Sequence, residues 1–389
     1  MNQFALTQEQ TTLLDEADRF ARDKLYPLAQ QMDNDEWWPD GIMEKLGNQG
    51  YLGATVPEKY GGAGMGLLEA GLVIQAFARW NHAFALSWGA HDNLCANNLY
   101  VNGSDELRER YLPKLCSGEY VGALGLTEPG AGSDALGSMR TKAVRDGDSY
   151  ILNGTKMYIT NGPIADIVLV YAKSQPDLGN RGVTAFIVET DTPGFQIAQK
   201  LTKMGFRGSP TAELVFEDVV VPVANIVGSE HEGHQVVMSG LDIERAALAP
   251  ISIGIAERAL ELSIEYANDR YQFGKPIASF QMIQSMIADM YTWVETMKAF
   301  TYQVLAELAD VDATSAGRGE IHARTAAVIM YNANTVNQIL NHAVQIHGGA
   351  GYLWDTEINR LFRATKLGEI GAGTTEVRKL IIAGELLGR

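Results

Sequence analysis

Between residues 121 and 232, strand-like runs follow one another without a helical repeat among them, and no other feature of the chain constrains its fold more. Apolar, β-branched runs at 167–171, 183–188 and 214–216 lie between clusters of Gly, Pro and Asp. Parallel neighbours in a doubly wound sheet need crossover helices, and this block has none to offer. The expected sheet is therefore antiparallel or mixed, and a doubly wound nucleotide fold is disfavoured. Asn153-Gly154, flanked by apolar runs, predicts a hairpin, because both turn positions of such a loop take φ > 0.

Helical periodicity borders the block on both sides. Thr7-Gln8-Glu9-Gln10 has the form of a capping box, and Leu13, Leu14, Ala17, Phe20, Ala21 and Leu25 follow at helical spacing. Breaks fall at 61–64 and 102–105, where Ser104 is placed to cap the next helix. Phe280, Ile283, Ile287, Met290, Val294 and Met297 form one bundle seam, and Ile329, Ala333, Val336, Leu340 and Ala343 form a second that ends at Gly348-Gly349. The expected class is α+β: an N-terminal helical domain over 1–120, a middle β-domain over 121–232 and a C-terminal helical bundle over 233–389.

Charge and cysteine content narrow the function. Lys+Arg 31 against Asp+Glu 47 leaves a net charge of −16 with no basic face, so nucleic acid is not an expected partner. Two cysteines, Cys95 and Cys116, make neither a disulfide framework nor a thiolate zinc site. Met1–Ala5 has no basic leader and no apolar run is long enough to span a bilayer, so the expectation is a cytoplasmic chain without a membrane segment.

Three suggestive strings fail on context. Gly130-Ala131-Gly132-Ser133-Asp134-Ala135 fits a dinucleotide fingerprint but is followed by strands. His231-Glu232-Gly233-His234 is one residue short of the zincin spacing, so no metal is expected. No G-x-S-x-G elbow is present. What remains is a set of polar, glycine-rich segments. The loop from Leu126 to Asp134 offers hydroxyls and unobstructed N–H groups of the kind a pyrophosphate or flavin edge needs, while Tyr158–Gly162 and Gln345–Gly349 add an aromatic, a hydroxyl and an amide at element ends.

Together with Lys203–Ser209, Arg270–Gly274 and Glu369–Thr374, these segments occur in one order along nearly the whole chain. In this the sequence resembles the acyl-CoA dehydrogenase family, and Leu241-Asp242-Ile243-Glu244-Arg245 is most similar to its isovaleryl-CoA branch. The resemblance implies an enzyme that removes a proton α to a thioester and a hydride from the β carbon with FAD as cofactor. It also implies a homotetramer that passes electrons to an electron-transferring flavoprotein.

Many members of that family carry the base in the C-terminal loop, where this chain has Ala372, which cannot accept a proton. The resemblance therefore implies Glu244, on a helix, as the catalytic base. Glu376 matches a flavin-contact position instead. By the same matching, Leu126, Thr127, Ser133, Tyr158, Thr160, Arg270, Phe273, Gln281, Gln345, Gly348, Gly349, Thr374 and Glu376 hold FAD, with Arg270 and Gln345 reaching a neighbouring subunit's cofactor. Tyr158 replaces the more usual tryptophan. Ser133, Asp242 and Arg245 are implied at the acyl-CoA, with the N–H of Ala372 serving the thioester oxygen and Gly371 beside it, while Leu248, one turn after Glu244 on the same helix face, is expected along the acyl cavity.

Where similar straight-chain enzymes carry a bulky side chain this chain has Gly371, which by the resemblance implies room for a branched acyl group, and a kink at Pro250 would lengthen the cavity. A longer branched or terpenoid acyl-CoA, a flavin oxidase or monooxygenase on the same fold, and a non-catalytic helical scaffold stay open at this point.

Overall fold

The computed structural model describes residues 6–308 and 319–388. Met1–Ala5, the stretch read for a leader, lies outside the described residues. In chain order the first helices are α1 (Gln8–Phe20), α2 (Tyr26–Asp35), α3 (Ile42–Gly47), α4 (Leu67–Gly89), α5 (Asn98–Asn102) and α6 (Asp105–Ser117). Thr7 closes the expected capping box, its hydroxyl accepting from the Gln10 N–H, and Ser104 caps α6 by accepting from Leu107. Between α4 and α5 the backbone widens to a π-helix over Ala90–Asn97, a form that recurs at functional sites.

The strands are β1 (Gly122–Gly125), β2 (Lys142–Asp146), β3 (Ser149–Thr160), β4 (Ile167–Lys173), β5 (Val183–Glu189), β6 (Phe195–Lys200), β7 (Thr211–Pro222) and β8 (Ile226–Val227). Their order is β6-β7-β3-β2-β4-β5-β8, with β1 on β4. β1 and β2 run parallel to β4 and the other pairs are antiparallel, so the sheet is mixed.

The Asn153-Gly154 hairpin does not form. Both residues lie inside β3, which runs through them with a bulge against β7, while the turn falls at Gly147. Glycine is required at 154 for a different reason: a Cβ there would stand 2.6 Å from the Thr141 Cα. Close backbone approach, not turn geometry, selects it.

After the sheet come α7 (Gly233–Asp269), the short ribbon β9 (Tyr271–Gln272) and β10 (Lys275–Pro276), α8 (Gln281–Leu308), α9 (Gly319–His347), α10 (Gly349–Tyr352), α11 (Glu357–Thr365) and α12 (Thr375–Leu387). Both expected seams are present: Met290, Val294 and Met297 of α8, and Ile329, Ala333, Val336, Leu340 and Ala343 of α9, are buried. α4 and α7 press together across Gly254, where a Cβ would meet the Gln75 carbonyl at 2.2 Å.

The kink expected at Pro250 does not interrupt α7, which continues as one helix of 37 residues. Packing holds it on two sides. Asn332 of α9 donates to the Ala249 carbonyl at 3.1 Å, and Gly71 of α4 leaves space for the proline ring. Among the described residues no helix is long and apolar enough to cross a membrane.

Candidate active site

α7 starts where the sheet ends, so its first turns face the sheet and the N-terminal helices at once. Val237, Gly240, Leu241 and Glu244, spaced three and four apart, share one face and line a narrow cleft. Opposite stand Asn93, Leu94 and Asn97 from the π-helical turn and Asn98 of α5, with Leu124, Leu126 and Tyr171 from the sheet side. All three parts of the fold therefore contribute walls, and Glu244 is the one carboxylate that lines the cleft among the described residues. Asn98 stands 3.5 Å from the Tyr171 hydroxyl, toward which its amide donates.

Burial pushes the Glu244 carboxyl up to about 7, against the opposing pull of the Arg245 and Arg378 guanidinium groups. Between pH 4.5 and about 7 the folded protein keeps a proton that the unfolded chain releases, so this group's stabilising contribution is full at low pH and fades as pH rises through that window. Glu244→Gln is expected to flatten that part of the stability profile. Urea midpoints measured across the window check it; an identical slope in both proteins would refute the raised carboxyl.

The loop that carries Ala372 is tied down by two arginines. Arg245 points Nε at the Ala372 carbonyl at 3.5 Å, and Arg378 of α12 donates to the carbonyls of Gly368, at 2.8 Å, and Gly371. Ala372 itself takes φ +55, the left-handed region that non-glycine residues rarely adopt. Gly371 has only Leu367 near its Cβ position, so space is open there.

Asp242, expected at the acyl-CoA, is held by its own network in the protein. It is 2% exposed, accepts from His322 Nδ1 at 2.6 Å and Thr325 Oγ1 at 3.1 Å on α9, and pairs with Arg245 at 3.3 Å. Donors on two helices draw it inward, away from the cleft wall. Leu248 is likewise turned toward α4, where its Cδ2 lies 2.8 Å from the Cβ position of Gly89. Arg245 is buried as well and meets the loop, not the cleft.

The expected cofactor residues fall into three groups. In the first, the loop from Leu126 to Asp134 is moored from beneath. Lys156 of β3, fully buried, donates to Glu128 at 2.8 Å and to the Leu126 carbonyl at 3.1 Å, and the Glu128 carboxylate also accepts from the backbone of Arg140 and Thr141. Above this mooring, Gly130 and Gly132 have nothing within 4 Å of their Cβ positions. The Thr127, Ser133 and Thr160 side chains have no hydrogen-bond partner in the protein among the described residues, and Tyr158, at φ +63, stands exposed on β3. An open cradle of free hydroxyls and unhindered N–H groups suits a large phosphate-bearing group.

In the second group, Thr374 caps α12 by accepting from Val377 and shares with Glu376 a solvent-open hollow that also includes Lys366 and Glu369. In the third, Arg270, Phe273, Gln281, Gln345, Gly348 and Gly349 all lie exposed at one end of the helical bundle. There Tyr266 of α7 stacks on His347 of α9 at 4.4 Å and binds the two helix ends together. No hydrogen bond joins this group to the loop from Leu126 to Asp134 among the described residues.

Sequence reasoning missed Tyr171, Asn98 and Arg378. Tyr171 sits in an apolar strand run and reads as core, and Arg378 reads as the polar face of a terminal helix. The Glu128–Lys156 pair did leave a trace, a lysine inside an otherwise apolar strand.

A helical lobe, a mixed sheet and a helical bundle meet around one carboxylate, a three-domain arrangement that the family comparisons identify. Models of the acyl-CoA dehydrogenase N-terminal, middle and C-terminal domains match residues 7–119, 123–219 and 231–387. The chain belongs to the acyl-CoA dehydrogenase family. It is 45% identical over 389 residues to the mitochondrial isovaleryl-CoA dehydrogenase of Pongo abelii, covering 97% of this chain and 88% of that one. Butyryl-CoA dehydrogenase from Megasphaera elsdenii superposes with a TM-score of 0.93 at 36% identity, over 99% of both chains. The FAD complex of PigA superposes at 0.92 with 32% identity, over 98% of both.

Proposed function

We propose that the protein dehydrogenates a branched, isovaleryl-like acyl-CoA to its 2-enoyl-CoA, with Glu244 as the base that takes the α proton. The observation that carries this reading is the lone carboxylate in the cleft, set on α7, while the C-terminal loop offers only the methyl of Ala372.

FAD is the cofactor, and the residues present fit it. Its phosphates suit the open Gly130 and Gly132 segment, and the unpartnered hydroxyls of Thr127, Ser133 and Thr160 supply donors. When bound, the flavin accepts the β hydrogen with its electron pair. The protein's own part is to hold the thioester carbonyl at the Ala372 N–H, which makes the α proton more acidic, and to receive that proton on a Glu244 Oε. Walls of Leu94, Leu124 and Leu126 limit water around the carboxylate.

Arg270 and Gln345, exposed at the bundle end, are assigned to a neighbouring subunit's FAD in a homotetramer. An electron-transferring flavoprotein is the proposed acceptor. We keep the domain limits at 1–120, 121–232 and 233–389. The free, buried thiols of Cys95 and Cys116 support a reducing compartment, the cytoplasm in our reading, although the Pongo abelii relative is named as mitochondrial.

Anaerobic flavin reduction across acyl-CoA thioesters of graded length and branching tests class and substrate together. Isovaleryl-CoA is expected to bleach the flavin fastest; a maximum at a longer branched or terpenoid thioester would move the substrate assignment. Slow bleaching with rapid reoxidation in air would favour an oxidase. In the free enzyme, kcat/KM is expected to rise with pH up to about 7 and then level, as the Glu244 carboxylate forms. A flat profile through that region would remove Glu244 as the group that titrates.

A further inference from the structure

We propose that Arg378 is a positioning residue for this reaction: by gripping the Gly371 carbonyl it aims the N–H of Ala372, which belongs to the same peptide unit, at the thioester oxygen. The inference rests on the reading in which that N–H polarises the substrate.

The geometry follows from peptide planarity. In a trans peptide the C=O of one residue and the N–H of the next lie in one plane and point in opposite directions. A donor fixed on the Gly371 oxygen therefore fixes the direction of the Ala372 N–H. Arg378 provides that donor through Nη2, while its Nη1 holds the Gly368 carbonyl at 2.8 Å, one turn earlier. Two anchors on one planar guanidinium set both the position and the tilt of the intervening segment. Arg245 takes the next carbonyl, that of Ala372, so the peptide units on both sides of this residue are held.

The conformation needs holding. Ala372 sits at φ +55, and a left-handed L-residue persists only where its surroundings over-determine it. The N-terminus of α12 adds a second constraint, since Arg378 N donates to the Thr374 carbonyl at 3.0 Å.

Packing alone does not account for an arginine here. Arg378 is 0% exposed, the largest side chain among the fully buried ones described, and the one buried residue described on α12. Its Nε has no partner in the protein, so the burial leaves a donor unsatisfied. Met or Leu would fill the volume without that desolvation cost. What they cannot do is donate to two carbonyls. A charged donor on the Gly371 oxygen also polarises that amide and makes the Ala372 N–H the stronger donor.

The test uses the full-length, FAD-loaded protein with Arg378→Gln and Arg378→Lys. The readout is the infrared C=O stretch of the bound 2-enoyl-CoA product of isovaleryl-CoA, isotope-labelled at the thioester carbonyl. In the parent protein the stretch is expected below that of the free thioester. R378Q is expected to lose most of this lowering and about 10²-fold in kcat, with KM and FAD content close to the parent. R378K, with one nitrogen for two carbonyls, is expected to fall between. Lowering retained in full by the variants overturns the role of Arg378, and if R378Q does not fold, R378K decides. A parent protein without any lowering instead overturns the assignment of the Ala372 N–H itself, a distinct result.

Discussion

Glu244→Gln is expected to keep FAD and acyl-CoA binding and to lose roughly 10²- to 10⁴-fold in the rate of flavin reduction, the range for removing a positioned general base. Glutamine preserves the volume and the cleft wall beside Leu241 and Gly240, so binding has no reason to change. It cannot take a proton. Asp242, two residues away on α7, is engaged by His322, Thr325 and Arg245 and does not line the cleft. Stopped-flow bleaching without air, beside a titration of acyl-CoA binding, separates the two effects. Near-normal bleaching would refute the assignment, and lost binding would make Glu244 a wall of the site instead of its base.

Lys156→Met is expected to destabilise the protein by about 3–5 kcal/mol, the cost of leaving one partner of a buried ion pair behind. Glu128 is 4% exposed and would keep its two backbone donors, those of Arg140 and Thr141, while losing its counter-charge. The same change frees the Leu126 carbonyl, so the loop from Leu126 to Asp134 loses its mooring and FAD is expected to dissociate more readily. Adding Glu128→Gln removes the orphaned charge and should restore part of the stability without restoring the hold on Leu126. Urea unfolding together with flavin retention on a desalting column resolves the two. A single variant as stable as the parent would mean that the pair carries no net stabilisation.

Much of the architecture was legible because it follows from periodicity. The α8 and α9 seams, the caps at Thr7 and Ser104 and the lack of crossover helices in the sheet region are local patterns with local causes. The Asn153-Gly154 turn failed because glycine answers to two constraints that look alike in a sequence. One is a positive φ in a turn, the other a neighbouring backbone too close for a Cβ, and Thr141 imposes the second.

The site was legible unevenly for the same reason. Glu244 and the loop from Leu126 to Asp134 stand in distinctive motifs. Asp242 shares its motif with Glu244, yet the two side chains diverge, because residues two apart on a helix point to different faces. Arg378 carried no signal at all, since its partners are backbone carbonyls and backbone leaves no trace in residue identity.

The π-helical turn at Ala90–Asn97 bears on how this enzyme can diverge. The wide turn fits more residues into each revolution than an α-helix does, and it sets Asn93, Leu94 and Asn97 along the cleft before α5 presents Asn98 to Tyr171. Deleting one position would let the turn wind back to ordinary α geometry, which keeps α5 near its present phase while moving the side chains of the turn by one place along the cleft. Substitutions along this stretch alter a surface one side chain at a time; a change in its length re-indexes the whole wall at once.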